Sequence, residues 1–290
     1  MKKQNLKLGF SLMELSIVIL VIGIIVAGIS NGSRIIRSAI LRKAESLTVN
    51  SPAASTYNMI LWYEATMPKS FIPSEMIDNV VGGTGTISTW KDINPNTISP
   101  NNAVSTDGSR LRYLPKGING LPSVNFNGSN SNLSFDGSPF ANTDYTVFIV
   151  EMRRSNTGNA FIFRGNDDVL NKMLNIGYRS DQFFAIDQYA NNSDFLVNAF
   201  TTPIARIHTV HFGSNVGRSY YMNGALVTTT CTTTACKTPL ISYNGAFLGY
   251  AYIGDVGEII AFNRALNIVE RQAIEQYLSL KWKIKLGAMT

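Results

Sequence analysis

The feature that most constrains this chain is a run of twenty residues, 10–29, in which every residue is apolar or glycine except Ser11, Glu14 and Ser16. At a rise of about 1.5 Å per residue, a helix of this length measures about 30 Å, which is the thickness of a bilayer core. The sequence therefore predicts a membrane helix near the N-terminus, ahead of a head of different composition.

Glu14 is the one charged residue inside the apolar run. A carboxylate at mid-membrane costs about 2.5–3.5 kcal/mol on insertion scales, and less near a helix end, where Glu14 lies. An acid in such a position indicates a function, although an ordinary signal anchor that tolerates one edge carboxylate is the simpler alternative.

A basic leader, residues 1–9, precedes the run and carries Lys2, Lys3 and Lys7. Positive charge of this kind keeps a leader in the cytoplasm, so the head would face outward. A secretory signal is cut after its apolar stretch, behind small residues. Here Gly9 stands before the stretch, and a cut after it would leave the helix on the mature protein.

The string GFSLMEL, residues 9–15, resembles the N-terminal signature of type IV prepilins and of the related pseudopilins of type II secretion. The resemblance covers roughly residues 1–45. It implies that a prepilin peptidase cuts between Gly9 and Phe10, that Phe10 is then methylated, and that Glu14 supports filament assembly. Its implied partners are other pilin subunits, contacted through the N-terminal helix. Its implied location is the bacterial inner membrane as a precursor, then an extracellular pilus or a periplasmic pseudopilus.

Many pilins carry a proline that kinks this helix, whereas this chain has Ser-Asn-Gly-Ser at 30–33. We expect the helix to break there, because glycine weakens a helix. Residues 34–47 then show the period of an amphipathic helix, which Pro52 ends. The predicted organisation is a leader at 1–9, a hydrophobic and amphipathic helix at 10–49, and a head at 50–290.

Nearly all of the net charge of +6 lies in the N-terminal part of the chain. Residues 1–49 hold seven basic and two acidic residues, and residues 50–290 hold 18 basic and 17 acidic residues. A head of net charge +1 has no electrostatic footprint for nucleic acid, so no nucleic-acid partner is expected.

The head has short β-branched and aromatic runs separated by Gly, Asn, Asp and Pro. Asn223-Gly224 lies between two such runs and is the strongest hairpin signal, and Asn127-Gly128 and Asn244-Gly245 are further turn candidates. About ten short strands at regular spacing predict an antiparallel β-sandwich. The runs are 121–126, 145–150, 160–163, 173–176, 182–186, 195–197, 207–212, 220–222, 226–228 and 252–253.

A helical period returns only near the C-terminus. Asn267 can cap a helix, with Glu270 three residues later as in a capping box. Ile274, Leu278 and Trp282 then share one face. The predicted fold class is therefore mainly β, with a jelly-roll head, a long N-terminal helix for membrane and filament, and a short C-terminal helix.

Most of the head, roughly residues 58–286, resembles bacterial concanavalin A-like, laminin G-like jelly-roll modules. The opening segments 60–65, 88–92 and 117–126 look like the first strands of such modules, and 254–266 looks like their closing strand. The resemblance implies two curved antiparallel sheets of a kind that often bind carbohydrate or protein, sometimes with Ca²⁺.

Cys231 and Cys236 are the two cysteines of the chain. In an exported head, a pair this close most simply forms a disulfide that staples one loop. Free thiols and a metal site are the alternatives, although two cysteines alone cannot complete tetrahedral zinc.

The enzyme alternative rests on carboxylates of the closing strand. Retaining glycosidases place two carboxyl groups about 5 Å apart, and the related hydrolases carry a Glu-x-Asp-x-x-Glu array. Asp255 and Glu258 fit its last two acids, but Ile253 stands where the first belongs. These acids are interpreted as structural, and no catalytic residue is assigned.

His208 and His211 are three residues apart, so in a strand they face opposite sides and cannot share one metal.

Ca²⁺ or a sugar could use oxygen atoms of Asp and Asn side chains, which we expect in solvated turns, but no EF-hand spacing occurs. Tyr243, Tyr250 and Tyr252 are candidates for stacking on sugar rings, and the sequence does not choose among them. The Asp and Asn residues that could supply oxygen atoms to Ca²⁺ or a sugar are Asp167, Asp168, Asp181, Asp187, Asp194, Asn166, Asn171, Asn191 and Asn192.

The sequence thus predicts a minor or tip subunit of a type IV pilus whose laminin G-like head adheres to glycan or to a surface protein. A type II secretion pseudopilin or a DNA-uptake pilus component is the first alternative. A membrane-tethered glycan-active enzyme is the second.

Overall fold

The computed structural model describes residues 12–76, 85–105, 111–129, 131–227, 231 and 233–288, with the backbone alone at 27–31, 33 and 34. The chain divides into two units, residues 1–43 and residues 44–290. The predicted leader, with Gly9 and Phe10, lies outside the described residues.

Helix α1, Leu12–Val49, contains Glu14 in its first turn. It continues through residues 30–33, so the predicted break is wrong. One glycine costs a helix interior only about 1 kcal/mol, which the helix-forming residues on both sides offset.

The apolar side chains of residues 12–26 are 47–88% exposed. Within the described residues no helix is both long enough and apolar enough to cross a bilayer, so the predicted membrane span is not found there.

The second unit is built from two antiparallel sheets. Its helices are α2, Pro52–Ser55, and α3, Ile268–Trp282, with short 3-10 turns at Pro68–Ser70, Pro73–Met76, Ile118–Gly120, Ser138–Phe140 and Ala235–Lys237. Its described strands are β1 Met59–Glu64, β2 Thr86–Ile87, β3 Thr89–Trp90, β4 Ala103–Val104, β5 Leu111–Leu114, β6 Ser123–Asn127, β7 Leu133–Ser134, β8 Tyr145–Arg153, β9 Ala160–Arg164, β10 Asn175–Tyr178, β11 Phe183–Asp187, β12 Asn192–Leu196, β13 Ala205–Gly213, β14 Gly217–Met222, β15 Ala225–Leu226, β16 Phe247–Tyr250 and β17 Ile253–Phe262.

Sheet 1 has the strand order β15-β14-β13-β8-β17-β6-β5-β2, and β1 pairs with the C-terminal half of β17. Sheet 2 has the order β12-β11-β10-β9-β16-β7-β4-β3. Apolar and aromatic side chains from both sheets form one core between them. The prediction of a mainly β, antiparallel sandwich is confirmed.

The predicted hairpin at Asn223-Gly224 is also confirmed, since it joins β14 to β15. Both residues have positive φ, 52° and 79°, as a type I′ turn requires. Several other strands contain only two residues, which is too short for a sequence pattern to reveal.

Helix α3 begins with the predicted capping box. The Asn267 side chain accepts from the Glu270 amide at 3.0 Å, and the Glu270 carboxylate accepts from the Asn267 amide at 3.1 Å. Ile274, Leu278 and Trp282 are fully buried, as predicted. The helix packs on the outer side of sheet 1, where Thr209 of β13 donates to Glu275 at 2.8 Å.

Candidate ligand-binding face

The outer face of sheet 2 is the most promising ligand-binding surface. The register places Tyr250 beside Phe161, Phe161 beside Gly177, and Gly177 beside Ala185. Ala185 in turn lies beside Asp194 on the edge strand β12. With strands about 4.8 Å apart, this row of five residues runs for about 19 Å.

A β-bulge in β9 assembles the aromatic end of this row. Ile176 pairs with Phe163 and Gly177 pairs with Phe161, so Ile162 is an extra residue on β9. Simple alternation would put Phe161 and Arg164 on opposite faces. The bulge instead puts both on the outer face, whereas Ile162 and Phe163 point into the core.

Arg164 covers the aromatic side chains of this face. Its guanidinium carbon lies 4.4 Å from the centre of the Tyr250 ring. The rings of Phe161 and Tyr250 are 6.4 Å apart. Arg164 also pairs with Asp168 at 3.3 Å, and a stacked, paired guanidinium has little freedom to move.

Arg179 organises the polar end of the row. Its guanidinium donates to Asp194 at 2.8 Å and to Asp187 at 3.1 Å. Burial alone would lower the pKa of Arg179, but the hydrogen bonds to both carboxylates hold it above its ordinary value. The side-chain amide of Asn175 donates to Asp187 at 3.1 Å and helps to fix the position of that carboxylate.

We call this surface the Tyr250–Asp194 face and define it by Phe161, Arg164, Arg179, Asp187, Asp194 and Tyr250. An exposed ring offers an apolar plate for the C–H face of a sugar. Planar guanidinium and carboxylate groups beside it supply paired donors and acceptors for hydroxyl groups. The face therefore combines groups that could stack on a sugar ring and groups that could bind its hydroxyls.

The structure distinguishes the three tyrosines that the sequence left equivalent. Tyr250 is 41% exposed, whereas Tyr243 is 2% and Tyr252 is 0% exposed. Tyr243 donates to the Arg164 carbonyl at 3.1 Å, and Tyr252 donates to Glu151 at 2.5 Å. Tyr243 and Tyr252 are core residues with partnered hydroxyls, so they are excluded as stacking platforms.

The expectation that all the candidate acids lie in turns is wrong for two of them. Asp187 is the last residue of β11, and Asp194 is in the middle of β12. Strand alternation turns both outward, toward Arg179. Asp181 stays in a connection, where its carboxylate accepts from the Phe200 amide at 2.8 Å.

An open cleft of about 590 Å³ is the other candidate on the head. It is lined by Met59, Ile60, Asn94, Thr97, Ser99, Pro100, Asn101, Asn102, Asp136 and Pro139. Asn101 and Asp136 exchange two hydrogen bonds, at 2.8 and 2.9 Å, and the Asp136 carboxylate also accepts from Ser138. The residues that line the cleft include no aromatic side chain, so the cleft lacks the stacking surface that Tyr250 provides on the Tyr250–Asp194 face.

His208 and His211 lie on opposite faces of β13, as predicted, but His208 belongs to a network that the sequence did not reveal. His208 contacts Glu151 at 2.8 Å and Tyr220 at 2.6 Å inside the sandwich. Burial lowers the pKa of His208. Burial also acts to raise the pKa of Glu151, but hydrogen bonds from His208 and Tyr252 leave it below its ordinary value. Tyr178 of β10 in sheet 2 donates to Glu151 at 2.8 Å, so the network joins the two sheets. All these groups are buried, so a ligand has no access to them.

Asp255 and Glu258 have separate partners. Asp255 pairs with Arg154 at 2.6 Å and accepts from Asn125 at 2.7 Å. Glu258 lies beneath α3, where it binds Lys281 at 2.9 Å. The interpretation of both acids as structural agrees with these contacts. Sequence reasoning missed Lys281, and also Glu64, whose only signal is a charge within the apolar string 60–65.

Cys231 and Cys236 form a disulfide, with their Cα atoms 5.7 Å apart. Among the described residues, no three His, Cys, Asp or Glu side chains are grouped so that they could hold a metal ion.

No protein-family model matches this sequence, and no curated protein is significantly similar to it. Two examples of solved structures that share its fold are a sialidase and a toxin binding domain. Trypanosoma rangeli sialidase has 12% sequence identity and a TM-score of 0.50, over 78% of this chain and 33% of the sialidase. The binding domain of Paraclostridial Mosquitocidal Protein 1 has 15% identity and a TM-score of 0.50, over 77% of this chain and 52% of that one. The chain thus spans about a third of the sialidase and half of the toxin domain, and these similarities show a β-sandwich fold alone.

Proposed function

We propose that this protein is a type IV pilin-like subunit whose β-sandwich head binds glycan through the Tyr250–Asp194 face. The observation that carries the proposal is the exposed Tyr250 ring beside Arg164, on the same face as Asp187 and Asp194, the two acids that pair with Arg179. An adhesive head needs a surface that combines an apolar plate with fixed hydrogen-bonding groups, and this face has both.

The composition of the face favours a neutral or weakly charged sugar. The two arginines of the face balance its two acids, Asp187 and Asp194, and Arg164 has a further partner in Asp168 beside the face. A strongly anionic polysaccharide would have to displace carboxylates that already hold the guanidinium groups. A neutral chain of sugars needs only stacking and hydroxyl hydrogen bonds.

Binding is favoured over catalysis by the contacts of the acids. Asp187 and Asp194 are both hydrogen-bonded to Arg179, and Asp187 also accepts from Asn175. A catalytic acid or base must reach the reacting group of the substrate, and these carboxylates are instead held by neighbouring side chains. The similarity to a domain described as a toxin's binding domain agrees with a binding role, whereas the sialidase is an enzyme.

The N-terminal part of the proposal rests on the string at residues 9–15 and on α1. Apart from Glu14 and Ser16, the side chains of α1 from residue 12 to residue 26 are apolar, and these apolar side chains are exposed. A helix of this kind must be buried in lipid or among other helices. We propose both in turn: the inner membrane holds the precursor, and neighbouring subunits cover α1 in the filament, with Glu14 as an assembly contact.

A glycan array tests the head. The full chain, kept in solution with mild detergent, should bind a set of neutral oligosaccharides, and the same array with a chelator should show whether Ca²⁺ contributes. Release of reducing sugar from the bound glycans should be absent. Turnover of any of them, or no binding to any sugar, would contradict the proposed function of the head.

Mass spectrometry of the native protein tests the N-terminus. The mature chain should begin at a methylated Phe10. An intact Met1, or a cut after residue 30, would contradict the pilin-like role and would leave the glycan-binding proposal for the head standing.

A further inference from the structure

Lys281, in the last turn of α3, has its amine buried between two carboxylates. Its Nζ lies 2.5 Å from Oε1 of Glu64 on β1 and 2.9 Å from Oε2 of Glu258 on β17. All three side chains are 0% exposed. Nζ also donates to Thr48 near the end of α1, at 2.7 Å.

The charges in this pocket do not balance. Two carboxylates face a single amine, and no further cation is within ion-pair distance of them among the described residues. Burial raises the pKa of Glu64, so a proton on its carboxyl group relieves the excess negative charge.

Two backbone amides fix the position of the Glu64 carboxyl group, as attack on its carbonyl carbon would require. The Thr66 amide donates to its Oε1 and the Met67 amide donates to its Oε2, both at 2.7 Å. The Met67 amide is placed to stabilise the negative charge that develops on Oε2 when a nucleophile attacks the carbonyl carbon, and the Thr66 amide holds Oε1, the oxygen that would leave.

Glu258 is fixed on the other side of the amine. Its carboxylate accepts from the indole N–H groups of Trp62 and Trp282, both at 2.8 Å, and from the Tyr277 hydroxyl at 2.7 Å. These aromatic side chains also exclude water. A fixed second carboxylate beside the amine can take up its proton and return it to a leaving oxygen.

We propose that Lys281 and Glu64 condense in the folded protein to form an intramolecular amide cross-link, with Glu258 as the proton carrier. Nζ gives up a proton to Glu258 and attacks Cδ of Glu64, so the Nζ–Cδ bond forms. The Cδ–Oε1 bond then breaks, and Oε1 leaves as water with the proton that the Glu64 carboxyl group carried and a second proton from Nζ. One ammonium and one carboxyl group become one amide and one water, and one proton stays on Glu258, with no oxidant or cofactor.

The burial of the site favours the products. An ammonium and a carboxylate out of water both carry a large desolvation cost, whereas the amide is neutral and the water leaves to solvent. The cross-link would join residues 217 positions apart in sequence, which closes most of the head into one loop. It would also make permanent the contact of α3 with β1, beside Thr48 at the end of α1.

The intact mass of the purified full chain tests the proposal. The wild-type protein should be lighter, by one water molecule, than its sequence with the disulfide formed. After proteolysis, fragmentation spectra should show one branched peptide that contains Glu64 and Lys281. A mass equal to the sequence value, with Glu64 and Lys281 in separate peptides, would overturn the proposal.

Two variants make the assignment specific. Lys281→Met removes the nucleophile at nearly the same length, and its mass should show no loss. Glu64→Gln can form the same amide by losing ammonia, so its mass should equal that of the cross-linked wild type. Loss of water in Lys281→Met would place the modification elsewhere and refute the cross-link. These mass measurements do not depend on glycan binding or on filament assembly, so they test the cross-link separately from the proposed function.

Discussion

The ring of Trp282 occupies the space that a side chain on residue 257 would need. A Cβ atom added to Gly257 would lie 2.5 Å from Cη2 of the Trp282 indole. Gly257 stands at the bulge of β17, where the register with β8 shifts between Val256 and Glu258. The glycine lets α3 approach β17 closely, and this approach brings the Trp282 indole to Glu258.

Replacing Gly257 with alanine should destabilise the head. The added methyl group must push the buried Trp282 ring and α3 away from β17, which costs about 1–3 kcal/mol in a well-packed core. Urea unfolding followed by tryptophan fluorescence measures the loss. Gly32→Ala is the matched control, since an added Cβ there meets nothing within 4 Å and should not lower stability. Equal stabilities for the two variants would contradict this view of the α3 contact.

The elements that the sequence predicts correctly are those that local chemistry determines. The cap at Asn267 and the turn at Asn223-Gly224 are set by neighbours in the sequence, and both are found in the structure. The sequence did not predict that α1 continues through residues 30–33. The cost of one glycine is too small to end a helix of 38 residues.

The candidate face was harder to predict, because it depends on a bulge and on burial. One extra residue, Ile162, decides that Phe161 and Arg164 share a face. Neighbouring tyrosines with similar surroundings in sequence differ completely in exposure, as Tyr250 and Tyr252 do. The Lys281 pocket joins residues more than 200 positions apart, and no local pattern reports such a contact.

His208 and His211 should make the stability of the head fall as the pH falls below about 6.5. Burial lowers the pKa of His208 and of His211 from the ordinary 6.5, so the folded state takes up fewer protons than the unfolded state in this range. The contribution of the two histidines to the free energy of unfolding is complete above pH 6.5. It is lost as the pH falls from 6.5 toward their lower pKa values in the folded state, by at most about 1.4 kcal/mol per pH unit for each histidine.

The free energy of unfolding in urea, measured from pH 7.5 to pH 5, checks this prediction. Glu151, whose pKa is also lowered, should add a further loss only below about pH 4.5, its ordinary value. Stability that stays constant or rises between pH 6.5 and pH 5 would contradict the neutral, buried state of the two histidines.

The assembly role of Glu14 predicts a separation between processing and incorporation. Glu14→Ala should be cut after Gly9 like the wild type but should be depleted in sheared filaments, because the carboxylate is proposed to act only between subunits. Immunoblots of the filament and membrane fractions measure both steps. Glu45→Ala, an acid farther along α1, is the control and should enter filaments normally. Unchanged incorporation of Glu14→Ala would remove the assembly role.

The central claim is that the Tyr250–Asp194 face binds glycan, and the affinity of Tyr250→Ala tests it most directly. Tyr57→Ala is the matched control, because Tyr57 is also exposed and lies under a guanidinium, with Arg264 at 3.8 Å, but outside the face. Calorimetry with the strongest oligosaccharide from the array should show a loss of about tenfold or more for Tyr250→Ala, equivalent to about 1.4 kcal/mol. Tyr57→Ala should bind like the wild type. Wild-type affinity in Tyr250→Ala would contradict the account.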